Sequence, residues 1–130
     1  MAVPAQVTLI GKSQAYLDAR AAVLQHFWLV ETVALDEGKV PEFTPELIVI
    51  CASIEGTEQQ EWVNRARREM PQVPIVRMNG FDSGPLMGAD ATVNDEHGPG
   101  ALVSTIYELL TERGLESRNW PEKVEGGWVQ

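Results

Sequence analysis

Residues 45–51 read Pro45-Glu46-Leu47-Ile48-Val49-Ile50-Cys51, with five apolar residues in succession from Leu47 to Cys51. A strand with one wet face alternates apolar and polar side chains; this one is apolar on both faces. That is the pattern of a central parallel strand covered by helices on both sides. Pro45 lacks the N–H that a ladder needs and fits only at the start. Open α/β sheets build their sites just past the carboxyl ends of such strands. Cys51 stands there.

Working outward, residues 7–10 form a short strand that Gly11 ends. Ser13 is a suitable N-cap for a helix reaching about Phe27. Its apolar residues fall in two stripes, Tyr16/Ala19/Val23/Phe27 and Leu17/Ala21/Leu24. A second strand covers 29–33. Residues 36–44 are weak, because Gly38 and Pro41 break any helix early. After the central strand, Thr57 and Gln60 have the spacing of a capping box. They open a helix to Met70 that turns Trp62, Val63 and Ala66 inward, and Pro71 stops it. A fourth strand covers 73–78 and a short fifth one 91–93. Pro99 starts the last helix, which runs to about Glu112 with Leu102, Ile106, Leu109 and Leu110 inward. Gly114 ends it. Strands alternating with helices imply a parallel sheet with right-handed crossovers and helices on both faces. Five strands point to the flavodoxin-like order 2-1-3-4-5.

The chain has 130 residues, 44% of them hydrophobic. That suits one folded domain, read as 1–114, with 115–130 as a tail or linker. The net charge of −9 argues against binding nucleic acid or an anionic membrane through this domain. Arg65, Arg67 and Arg68 cluster, which reads as a solvated helix face. The single cysteine excludes an internal disulfide and fits a reducing cytoplasm. No membrane span or signal peptide is read.

With the strands in place, the chain resembles the receiver domain of two-component response regulators over residues 6–113. Pro45-Glu46-Leu47-Ile48-Val49-Ile50 resembles the strand that carries the phospho-acceptor aspartate. Gly56 falls on the glycine of the following loop. Pro71-Gln72-Val73-Pro74-Ile75-Val76 is similar to the approach to the fourth strand. Gly88-Ala89-Asp90-Ala91 is similar to the segment before the fifth, and 94–99 to the entry to the last helix. The resemblance implies the flavodoxin-like receiver fold and a role in signal transduction. Family members take a phosphoryl group on an Asp at the end of strand three. An acidic pair after strand one holds Mg²⁺, and a Thr or Ser and a Lys after strands four and five bind the phosphoryl group.

This chain departs at each of those positions. Cys51 replaces the acceptor, Gly11 and Lys12 replace the acidic pair, Asn79 replaces the hydroxyl residue, and Asp95 replaces the Lys. A thiol forms no acyl phosphate, and a hard divalent cation loses its oxygen ligands. The expectation is a degenerate pocket in a pseudo-receiver: not an enzyme, without cofactor or metal. The helix between strands four and five is expected to be shortened or absent, since only 81–87 fill the gap.

Other constellations are weaker. Cys51 reads as a small buried apolar side chain rather than an activated thiol. Lys12 and Asp95 either bridge the old pocket or point into water. Gly11-Lys12-Ser13 lacks the preceding glycine of a phosphate-binding loop. His26 and His97 have no partners at metal-ligand spacing. Trp120 and Trp128 lie in the tail and are candidate partner-binding residues; the tail reads equally as a linker or as a segment folded back on the domain. The expected partner is a protein, either another signalling protein or a second copy of this chain. The alternative is a small-molecule sensor or enzyme using Gly11, Lys12, Cys51, Asn79 and Asp95.

Overall fold

In the computed structural model, residues 3–79, 87–112 and 117–118 are described. The strands are β1 (Val3–Pro4), β2 (Gln6–Gly11), β3 (Leu29–Ala34), β4 (Leu47–Ile50), β5 (Ile75–Asn79), β6 (Ala91–Asn94) and β7 (Ser117–Arg118). The helices are α1 (Gln14–Leu24), α2 (Gly56–Glu69) and α3 (Pro99–Glu112). The main sheet has five strands in the order β3-β2-β4-β5-β6, all parallel. Counting its strands along the chain, this is the expected order 2-1-3-4-5.

All four residues of β4 are fully buried. Alternation sends Leu47 and Val49 into one core with Leu17, Ala21, Leu24, Leu102, Ile106 and Leu110, under α1 and α3. Ile48 and Ile50 enter a second core with Val63, Ala66 and Ile75, under α2. The helices thus lie on both faces because the central strand is apolar on both.

Four local expectations are corrected. Helix α1 stops at Leu24, not Phe27, and Phe27 is 54% exposed. Its core stripe is Leu17/Ala21/Leu24; Ala19 faces solvent. Ser13 does cap it, accepting from the Tyr16 N–H at 3.3 Å. Helix α2 begins at Gly56, so Thr57 lies inside the first turn and makes no cap. Gln60 instead clasps the Met87 backbone, donating to its carbonyl at 2.9 Å and accepting from its N–H at 3.0 Å.

Arg67 is not a solvated side chain. It donates to the carbonyls of Gly88 and Val73 and pairs with Asp90 at 2.6 Å. Five donors in a planar fork let one residue hold the chain entering β6 against α2. Trp62 is half-buried against the second core, with Arg65 over its ring at 4.7 Å.

The weak segment after β3 is a 3-10 turn, Leu35–Glu37, closed by Gly38 at φ 69°. Residues 80–86, where a fourth crossover helix would run, lie outside the described residues, as does Gly114. At the other end of the sheet, β7 pairs antiparallel with β1.

Edge strand β3 is fastened by Glu31. Its carboxylate accepts from the N–H groups of Glu42 at 2.6 Å and Phe43 at 3.4 Å, and from the Thr8 hydroxyl at 3.4 Å. Burial is the largest influence on this carboxyl and raises its pKa above the ordinary 4.5, against the pull of those donors. The fold therefore holds this proton more readily than the unfolded chain, and Glu31 contributes less stability as pH rises through the folded value. Glu31→Gln keeps an acceptor and removes the charge. The melting temperature of the wild type relative to Glu31→Gln is expected to fall between pH 4 and pH 7. A difference constant over that range, measured by thermal denaturation, would contradict the assignment.

Candidate functional site

The parallel register brings Ile10 beside Ile50 and Asn79 beside Asn94. Gly11, Cys51, Asn79 and Asp95 therefore follow one another across the carboxyl end of the sheet. Cys51 is fully buried, and its N–H donates to the Ile10 carbonyl at 2.9 Å. Burial pushes its thiol up to about 12, with Arg20 pulling it down and Asp95 pushing it further up. A thiol so held is protonated at neutral pH and is a poor nucleophile.

Gly11 leaves no room for a side chain. A Cβ there would lie 2.8 Å from Leu17 Cδ2 and 3.2 Å from Ser53 Oγ, and Leu17 is itself fully buried. Lys12 is fixed by its backbone: its N–H donates to Ser53 Oγ at 3.0 Å and its carbonyl accepts from the Asp36 N–H at 2.9 Å. Its ammonium lies 3.6 Å from Glu58 in the first turn of α2.

Asp95 opens a 3-10 turn, Asp95–His97, capped by Asn94, whose Oδ1 accepts from the Glu96 N–H at 2.8 Å. Its carboxylate pairs with Arg20 and accepts from the Tyr16 hydroxyl at 3.3 Å. The Arg20 guanidinium lies 3.5 Å above the Tyr16 ring and donates to the Tyr16 carbonyl. Tyr16 and Arg20 are one helical turn apart, so both side chains reach the same neighbour. Burial first, and Cys51 next, drives the Tyr16 phenol far above its ordinary pKa. Tyr16 therefore stays a hydrogen-bond donor throughout the physiological range.

Lys12 and Asp95 do not meet: each takes a partner on its own side of the sheet. Lys12 lies beside α2, whereas Asp95 lies beside α1 and borders a cavity of about 270 Å³ lined by Ala19, Met78, Pro99 and Leu102. Tyr16 and Arg20 escaped the sequence reading because Tyr16 looked like core and a helical Arg looks like surface. The i, i+4 spacing was the available signal.

A second polar group sits behind the pocket. Gln59, 1% exposed, donates to the carbonyls of Cys51 at 3.0 Å and Met78 at 3.1 Å. Its Oε1 accepts from Arg77 Nε at 3.0 Å. The ends of β4 and β5 are thus tied to the first turns of α2. Arg77 also went unread, although a cation inside Ile75-Val76-Arg77-Met78 breaks an apolar run.

The site does not suit a hard divalent cation. Gly11 offers no ligand, Lys12 is a cation, and Cys51 is a protonated sulfur. Among the described residues no group of His, Cys, Asp and Glu side chains could hold a metal ion. His26 and His97 are exposed. Trp120 and Trp128 lie outside the described residues. No helix among the described residues is long and apolar enough to cross a membrane.

No protein-family model matches the chain, and no curated protein matches it by sequence. Solved structures do match in fold. A CheY-like response regulator receiver domain protein from Methanospirillum hungatei JF-1 superposes with a TM-score of 0.71 at 20% identity, over 85% of this chain and 97% of that one. Chemotaxis protein CheY4 of Vibrio cholerae gives 0.66 at 18% identity, over 83% and 100%. A response regulator receiver modulated diguanylate cyclase from Pelobacter carbinolicus gives 0.67 at 16%, over 85% and 95%. The fold is therefore that of receiver domains.

The native thiol is expected to resist alkylation at pH 8 and to react fully once the chain is unfolded. Mass spectrometry after iodoacetamide treatment, with and without denaturant, measures both; rapid native labelling would show that Cys51 is reached by solvent.

Proposed function

We propose that this chain is a signalling module on a receiver fold, one that takes no phosphoryl group on aspartate and acts by holding a protein partner. The observation that carries the reading is the Tyr16–Arg20–Asp95 cluster. In receivers the residue after the fifth strand is a Lys that binds the phosphoryl group. Here Asp95 stands there and is already held by a cation from α1. The turn leading into α3 is thus anchored by the chain's own charges. An acid cannot enter at Gly11 without moving Leu17, and Cys51 is buried, which supports the same reading.

Helix α3 then presents a face set by sequence and not by phosphorylation. Tyr107 on that helix is 57% exposed and is a natural contact for a partner. The helix, β6 and the tail with Trp120 and Trp128 form the proposed docking region. The partner is another signalling protein or a second copy of the chain, and the buried free thiol accords with work in the cytoplasm.

Amide NMR spectra with Mg²⁺ and acetyl phosphate, or with beryllofluoride, test this. No saturable shift is expected at Gly11, Cys51 or Asp95. Specific, saturable shifts at those amides would overturn the reading, since a working receiver pocket produces them.

A further inference from the structure

Strand alternation and register give the sheet one polar corner. Met78 and Val93 both point into the core under α1 and α3. Their strand neighbours therefore point to the α2 face: Arg77 beside Thr92, and Asn79 beside Asn94. Elsewhere that face carries Ile10, Val33, Ile48, Ile50 and Ile75.

Arg77 is 3% exposed. Gln59 occupies its Nε, but its Nη2 has no hydrogen-bond partner among the described residues. The Asn79 Oδ1 is likewise without one among them. Asp90, near the same corner, is committed to Arg67 and to the Ile75 N–H. Burial pulls the guanidinium's pKa down, and no described carboxylate opposes it. A buried cation with an open donor is costly unless an anion meets it. It is the kind of group that marks a binding site.

We infer that the Arg77, Asn79, Thr92 and Asn94 corner is a receptor for a small oxyanion of the phosphate type. Arg77 supplies the charge and a donor from the terminal end of its planar fork. Gln59 holds the other side of that fork and fixes its direction. Hydrogen phosphate carries both acceptors for Arg77 and one P–OH donor for the Asn79 carbonyl. The exposed Thr92 hydroxyl completes the mouth of the site. Sulfate lacks the donor and fits less well. The receptor shares only Asn79 with the strand-end pocket and does not depend on how that pocket is read.

Thermal denaturation of the full chain in inorganic phosphate, against chloride at matched ionic strength, tests the site. A saturable rise of several degrees is expected, as for any ligand bound only by the folded state, with a smaller rise in sulfate. Arg77→Met is near in volume and removes the charge. It is expected to abolish the phosphate effect and to melt higher than the wild type in chloride. Thr92→Val, at an exposed position, is expected to weaken the phosphate effect and keeps the test open if Arg77→Met does not fold. In a parallel phosphate titration by NMR, the Gln59 side-chain amide and the Thr92 amide should shift while Lys12 and Asp95 stay. That pattern separates this receptor from the strand-end pocket.

Phosphate no more stabilising than chloride would overturn the inference. So would an undiminished phosphate effect in Arg77→Met or Thr92→Val. So would a loss of stability in Asp82→Asn matched by Arg77→Met, since the acid nearest Arg77 in sequence would then be its counterion.

Discussion

The two-sided burial of Leu47–Ile50 is the constraint on which the rest depends. A strand apolar on both faces is stable only if something covers each. Helices α1 and α3 cover one face and α2 the other. Parallel neighbours on both sides follow, because each crossover must return to the same end of the sheet. The same packing sends every carboxyl end to one rim. Gln59 then locks that rim by joining the Cys51 and Met78 carbonyls to α2.

Charge at the rim is arranged in local pairs. Lys12 meets Glu58, Arg20 meets Asp95, and farther down the sheet Arg67 meets Asp90. The last two are partly shielded from solvent and Lys12–Glu58 is more exposed, so it contributes little. The shielded pairs have a positional role: one ties α1 to the entry of α3, the other ties α2 to the entry of β6. Arg77 stands apart, a buried cation whose one described hydrogen bond goes to a neutral amide.

The likeness to receiver domains at 20% identity or below has a simple physical basis. The fold requires apolar residues at alternating strand positions and on single helix faces, and many side chains satisfy that. The chemistry of a phosphoryl pocket requires particular carboxylates at particular places. Fold and pocket are therefore free to diverge separately.

The sequence by itself determined the five strands, their order, the inward faces of α2 and α3, and the position of Cys51 at a strand end. Those features rest on short-range periodicity, which is written along the chain. The Ser13 cap was legible for the same reason. Tertiary structure alone decided which charge met which. Lys12 and Asp95 look complementary in sequence, yet the sheet separates them and gives Asp95 to Arg20. Gln60, which had the spacing of a capping residue, bonds to Met87 because α2 starts two residues earlier. The burial of Arg77 was decided the same way. A pairing between residues far apart in the chain depends on register and on which face each side chain takes, and neither is encoded locally.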